Sequence, residues 1–244
     1  FIDAAAEAGA YAAKFQTHTV EDEQLDQHVV SPHFTTNDRY AWVKRNTEAT
    51  PEQFWREVQE HCHRRGILFF TTPMSRGALR KIAPLDPPFW KVSSADVQDD
   101  ILLNAMLETH KPIIISTGMV SLEELDAVVA GIGKRCPELG ILYCVSQYPC
   151  PKEHFNLSSL TRFTKTFPDA VIGFSDHSLG SEVALAAVKL GARIIEKHFS
   201  LTRDLWGSDH NVSMTPAEMQ SMVTAIRDRS FEKVDASPFL GDPD

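Results

Sequence analysis

Residues 170–199 read AVIGFSDHSLGSEVALAAVKLGARIIEKHF, and they carry the fold in miniature. Ala170–Ser175 is a short apolar run of strand type, and Arg193–Phe199 is another. The segment between them is helical in pattern and stops at Gly191. Strand, helix, strand is the repeating unit of a parallel sheet. The same alternation runs back towards the N-terminus, through candidate strands at Gly140–Val145, Pro112–Ser116, Phe89–Ser93, Ile67–Thr72 and Ala10–Phe15. Three helix starts are written as capping boxes: Thr50-Pro51-Glu52-Gln53, Ser121-Leu122-Glu123-Glu124 and Thr215-Pro216-Ala217-Glu218. Gly9 and Gly66 stand where helices should stop.

The order is one helix, then seven βα units. A doubly wound sheet and a TIM (β/α)8 barrel both fit it. Seven strands with eight helices, the first helix lacking a strand before it, favour an α/β barrel over residues 1–234 without its first strand. The length of 244 residues also suits a barrel of about 250. The segment 235–244, with two prolines and a glycine, reads as the start of a linker to a further domain. The chain opens on Phe1 inside a helical pattern, which points to something upstream, an extra strand in the first place. The connection from Gln16 to Thr50 is polar and mostly aperiodic, so we expect a long loop on the C-terminal face, where barrel active sites form.

Composition bounds the function. Lys and Arg number 24 against 33 Asp and Glu, a net charge of −9, which argues against a nucleic-acid binder working through a basic face. No apolar run approaches the roughly 20 residues of a membrane helix. Cys62, Cys136, Cys144 and Cys150 show no CxxC spacing, which fits a reduced, cytoplasmic protein. Sequons at Asn156 and Asn211 are short enough to arise by chance. P-loop, dinucleotide and Gly-x-Ser-x-Gly motifs are absent from the sequence.

Polar residues interrupt the apolar runs at their C-terminal ends. Lys14 and Gln16, Lys91 and Ser93, Ser175 and His177, and Glu196 and His198 are each two apart, so each pair shares a face. A lone Lys at a strand end usually snorkels to solvent, and a lone His is usually a hydrogen-bonded structural residue. Four such pairs at one end of a sheet are harder to assign to solvation. Two Lys with nearby hydroxyls suit a substrate carrying phosphate and carboxylate. Two His from neighbouring strands with a carboxylate beside them suit a catalytic divalent metal. Asp176 and Lys197 alternate with these and read as other-face residues, paired or solvated. His61 and His63 read as surface residues, whereas His18, His28 and His33 in the long connection are undecided.

Taken in order, the segments resemble the N-acetylneuraminate (sialic acid) synthase family over nearly the whole chain. The matching pieces are Ala13-Lys14-Phe15-Gln16, Phe70-Thr71-Thr72-Pro73, Lys91-Val92-Ser93-Ser94-Ala95-Asp96, Ser116-Thr117-Gly118-Met119 and Tyr148-Pro149 with Asn156-Leu157. They continue with Gly173-Phe174-Ser175-Asp176-His177, Glu196-Lys197-His198-Phe199 and Gly207-Ser208-Asp209-His210. The resemblance implies a TIM barrel followed by a small antifreeze-like domain, working as a homodimer. It also implies condensation of phosphoenolpyruvate with an N-acetylated hexosamine, N-acetylmannosamine or a close analogue. The product would be a nine-carbon 2-keto sugar acid, formed with help from Mn2+ or Mg2+. Carried over by motif, His177 and His198 would be metal ligands. Lys14, Thr72, Lys91, Ser94 and Ser175 would hold phosphoenolpyruvate, with Lys91 also counted among the catalytic groups. Gln16, Asp96, Ser146, Tyr148 and Asp209 would face the sugar, Asp209 in a catalytic role, and Glu196 would be an acid/base or orienting carboxylate. Ser146 stands where members often have Asn, and Asp96 where many have Glu, so legionaminic and pseudaminic precursors are also open. Alternatives are another phosphoenolpyruvate-dependent synthase of deoxy-keto sugar acids, a Schiff-base aldolase using Lys14 or Lys91, and an inactive sugar-binding barrel.

Overall fold

A computed structural model describes residues 1–27, 38–205 and 207–241. All seven expected strands form, each within a few residues of its expected bounds: β1 Ala12–Thr17, β2 Leu68–Pro73, β3 Trp90–Val92, β4 Ile113–Ser116, β5 Leu139–Cys144, β6 Val171–Asp176 and β7 Ile195–Lys197. Every pairing is parallel. β1 pairs with β2, and β3 to β7 pair in sequence order. β2 lies beside β3 without a ladder, and the rings of Phe70 and Phe89 meet there at 4.5 Å. A doubly wound sheet would reverse its strand order at a switch point. This order never reverses, and the result is a curled, barrel-type parallel sheet.

Helices alternate with the strands: α1 Ile2–Glu7, α2 Val20–Glu23, α3 Arg39–Ala49, α4 Glu52–Arg64, α5 Arg76–Ile82, α6 Asp100–Leu107, α7 Leu122–Ile132, α8 Ser158–Thr166, α9 Glu182–Lys189 and α10 Pro216–Arg227. Two expectations are corrected here. The Gln16–Thr50 connection is not a bare loop, because it holds α2 and α3. Of the α3 residues only Val43 is fully buried, so no helical apolar stripe is visible in the sequence. The capping box at Thr50 does not form. The Thr50 hydroxyl donates back to the Asn46 carbonyl, leaving Pro51 at the N-cap of α4. The boxes at Ser121 and Thr215 both form.

Parallel register sorts the side chains. One face of the sheet carries Trp90, Val92, Ile113, Ile115, Ile141, Ile172 and Phe174, which pack with Leu79, Leu102, Met106, Leu125 and Leu160 of the helices in one buried cluster. Each such side chain contributes about 1.5–3 kcal/mol of burial. The other face lines the concave interior. Gly140 and Gly173 lie on it beside Ile114, Leu142 and Ile194. A Cβ on Gly173 would come within 2.6 Å of the Ile194 carbonyl oxygen, so a side chain there would push β6 from the segment entering β7. The strand ends beyond these small residues carry the polar groups. The chain is packed through Leu240: Ala236 and Phe239 belong to the main core, and the Leu157 N–H donates to the Phe239 carbonyl at 2.8 Å. Among the described residues no helix is long and apolar enough to cross a membrane.

Candidate active site

Lys91 points from β3 into the concave interior and is 2% exposed. Its ammonium donates to Ser116 Oγ at 2.6 Å and to the Val92 carbonyl at 2.9 Å. Burial pulls its pKa below the usual lysine range, and Glu196 opposes that pull. Lys14 Nζ on β1 lies 3.7 Å from Glu196 Oε1 on β7, so the first and last strands meet through charge. Ser175 Oγ donates to the same carboxylate oxygen at 3.0 Å. Burial alone would raise the Glu196 carboxyl. Lys14, Lys91, the Ser175 hydroxyl and His198 outweigh it and bring the pKa down to about 2. One carboxylate thus faces two ammonium groups, Lys14 in an ion pair and Lys91 through its field, and the surplus positive charge suits a bound anion. Ser116 was not singled out from sequence. It is an ordinary serine at a strand end, and its partner lies 25 residues earlier.

The turns after β3, β4 and β5 close tightly over this cluster. The Gly118 N–H donates to Ser94 Oγ at 3.0 Å. A Cβ on Gly118 would overlap Ser146 Oγ and stand 3.1 Å from both Ser94 Oγ and Cys144 Sγ. Glycine here is a requirement of close approach. Ser93 Oγ donates to Asp96 at 2.6 Å, and burial raises the Asp96 carboxyl against that hydrogen bond.

His177 and His198 follow β6 and β7. Their ring centroids are 5.4 Å apart, with the planes at 51°. His177 Nδ1 is 2.8 Å from the Val145 carbonyl. A carbonyl can only accept, so Nδ1 carries the proton and Nε2 has a free lone pair. Burial lowers both pKa values. That of His198 falls to about 4, with Asp209 opposing and Lys14 and His177 adding to the fall. Both rings are therefore neutral near pH 7, the form that ligates metals. An imidazole whose second nitrogen is held by a carbonyl is the usual arrangement of a metal-binding histidine. The donor pair fits a divalent ion with open positions. Among the described residues no group of three His, Cys, Asp or Glu side chains is gathered for an ion, so water or substrate would supply the rest of the shell. Tyr148 covers the pair, its ring 4.1 Å from that of His177 and 5.7 Å from that of His198. Asp209 Oδ2 is 3.8 Å from His198 Nδ1.

The remaining candidates sit further out. Gln16 and Thr72 are register partners on the inward face, one step beyond Lys14 and Phe70. Thr72 is buried and Gln16 exposed. Ser146 and Tyr148 are exposed, and Asp209 has 59% of its side chain in solvent. His18 is committed to Glu23 at 2.7 Å, and His61 pairs with Asp3 on the surface. His28 and His33 lie outside the described residues. Asp176 and Lys197 pair on the outward face, fully buried and not solvated. All four cysteines are free.

Comparison with known proteins bears on the fold and the family. The chain is 34% identical over 230 residues to the N-acetylneuraminate-9-phosphate synthase of Homo sapiens, covering 93% of this chain and 64% of that protein. It is 31% identical to the pseudaminic acid synthase of Campylobacter jejuni subsp. jejuni, covering 93% of this chain and 67% of that protein. The chain thus spans about two thirds of the length of these relatives. The crystal structure of the N-acetylneuraminic acid (sialic acid) synthetase from Leptospira borgpetersenii, in complex with citrate, superposes with a TM-score of 0.82 at 31% identity, over 96% of this chain and 77% of that one. The NeuB family model matches residues 1–235, and the chain belongs to the NeuB family.

Proposed function

We propose that this chain condenses phosphoenolpyruvate with an N-acetylated hexosamine, of the N-acetylmannosamine type or a close analogue, to give a nine-carbon 2-keto sugar acid and inorganic phosphate. The observation that carries the reading is the Lys14–Lys91–Glu196–Ser175 cluster, with Lys91 and Ser175 buried, beside two neutral imidazoles. A doubly anionic three-carbon substrate needs the first, and an aldehyde acceptor is served by the second. Lys14, Thr72, Lys91, Ser94 and Ser175 hold the phosphate and carboxylate of phosphoenolpyruvate. Gln16, Asp96, Ser146, Tyr148 and Asp209 face the sugar. Glu196, ionised at neutral pH, orients Lys14, offsets the charge of Lys91 and does not serve as an acid.

The bond changes are these. C3 of phosphoenolpyruvate bonds to the aldehyde carbon, and the aldehyde oxygen takes up a proton. Water adds at C2, and the C2–O bond to phosphate breaks to leave a 2-keto acid. Lys14 and Lys91, fixed before reaction by Glu196 and Ser116, stabilise the shifting negative charge without reorganising. His177 and His198 would hold a divalent ion, Mn2+ or Mg2+, which supplies Lewis-acid polarisation of the aldehyde when bound. The Gly118 turn keeps the Ser94 hydroxyl directed by its backbone N–H.

Phosphate release from phosphoenolpyruvate, measured across free and 6-phosphorylated N-acetylhexosamines with Mn2+ present, tests the reading. Release that matches 2-keto acid formation and requires an acceptor is expected. Retention of pyruvate on a lysine after borohydride reduction would instead indicate a Schiff-base aldolase.

A further inference from the structure

Asp176 and Lys197 are register partners on β6 and β7, on the outward face. Their side chains are 0% and 1% exposed, and their charged atoms are 3.1 Å apart. Two full charges are here removed from water, with the Arg203–Glu218 pair close enough to act on Lys197. Such a pair is costly to desolvate, and two well-packed apolar residues usually serve stability as well or better. Stability therefore gives no sufficient reason for it. Its placement offers another. Asp176 is the residue before His177, and Lys197 is the residue before His198.

The pair's other bonds both hold one residue, Ser178. Asp176 Oδ1 accepts from the Ser178 N–H at 2.7 Å, and Lys197 Nζ donates to the Ser178 carbonyl at 2.6 Å. The backbone just after His177 is thus held at both ends of Ser178, while the Cys150 N–H holds the His177 carbonyl at 2.9 Å. Lys197, the source of one of these bonds, is itself joined to His198. Asp176 Oδ2 and Ser178 Oγ are buried and make no well-aligned hydrogen bond, so the grip relies on charge between the strands.

We propose that the Asp176–Lys197 ion pair is a positioning device that sets the separation and facing of His177 and His198 from the back of the sheet. It touches neither substrate nor metal. The inference uses the metal reading above only in its second test. A one-residue or angular slip between β6 and β7 would move both rings at once, and the pair opposes that slip where the strands end and ladder bonds run out.

The test is the double variant Asp176→Leu/Lys197→Met in the full chain, with Asp176→Asn as a near-isosteric single variant. Melting temperature, ring-proton NOEs between His177 and His198 in metal-free protein, and the affinity for Mn2+ alone by EPR are read together. The proposal expects the double variant to keep its melting temperature within a few degrees or raise it. It expects loss or marked weakening of the inter-ring NOEs and Mn2+ affinity lower by about 10- to 100-fold. Unchanged NOEs in a folded variant would overturn it. If the double variant does not fold, Asp176→Asn decides by the same NOEs. If the wild-type chain binds no Mn2+, the metal reading fails, yet the NOE comparison still settles the role of the pair. Restoration of the NOEs by the charge-swapped Asp176→Lys/Lys197→Asp variant would add support, since a mere packing role gives no reason for rescue.

Discussion

The two halves of the candidate site differ in how firmly they are built. On the inner side Lys91, Ser175 and His177 are each under 5% exposed and are bonded to named partners. On the outer side Gln16, Ser146, Tyr148 and Asp209 stand in solvent at the mouth. Buried, bonded groups are already held in their working geometry and do not adapt. Exposed groups on turns can change without disturbing the core. On the proposed function, the step common to a family of related sugars would belong to the inner side, and selection among sugars to the rim.

The largest expected effect follows from removing an inner charge. Lys91→Ala leaves Glu196 short of a cation and Ser116 without its donor. Steady-state phosphate release should show kcat/KM for phosphoenolpyruvate reduced by about 10³-fold, roughly 4 kcal/mol, with KM for the acceptor little changed. Equal losses for both substrates would erase the distinction between the two sides. Next in size is His177→Ala. Mn2+ affinity by EPR should fall by about 100-fold, since one of the two proposed ligands is gone and Tyr148 loses the ring it covers. Wild-type affinity in this variant would remove His177 from the metal site.

Gly118 lies on the border, where a Cβ would meet Ser94 and Cys144 of the inner side and Ser146 of the rim together. Gly118→Ala should cost about 1–3 kcal/mol in chemical denaturation through overpacking, and it should impair use of both substrates. An effect confined to one substrate would redraw the border. The smallest effect is expected at the rim. Tyr148→Phe keeps the ring over His177 and removes only the hydroxyl. KM for the acceptor should rise several-fold, at most about 1–1.5 kcal/mol, while KM for phosphoenolpyruvate holds. A larger effect on phosphoenolpyruvate would move Tyr148 to the inner side.

The same division governs what could be read from sequence. Strands announce themselves as short apolar runs, and all seven were legible, the half-buried β1 and β7 as well as the more buried β2 to β6. So were the inward pairs Ser175/His177 and Glu196/His198, because a two-residue spacing survives without knowledge of the fold. Helix α3 was not legible, since its residues are largely polar and it buries little. Thr50 reads as a cap in isolation, but in space it ends α3 and spends its hydroxyl on Asn46. The contacts Lys91–Ser116 and Lys14–Glu196 join residues that only the curl of the sheet brings together. Spacing could name the charged residues. It could not tell that two lysines face one carboxylate, the feature on which the proposed anion site rests.

The most direct test of this division is calorimetric titration of phosphoenolpyruvate, without any sugar, into the wild-type chain, Lys91→Ala and Ser146→Ala. If the inner side alone holds phosphoenolpyruvate, the wild type binds one equivalent. Lys91→Ala then weakens Kd by about 100-fold or more, in line with loss of a buried charge-assisted contact, and Ser146→Ala leaves Kd within about twofold. Binding indifferent to Lys91, or weakened as much by Ser146→Ala as by Lys91→Ala, would contradict it.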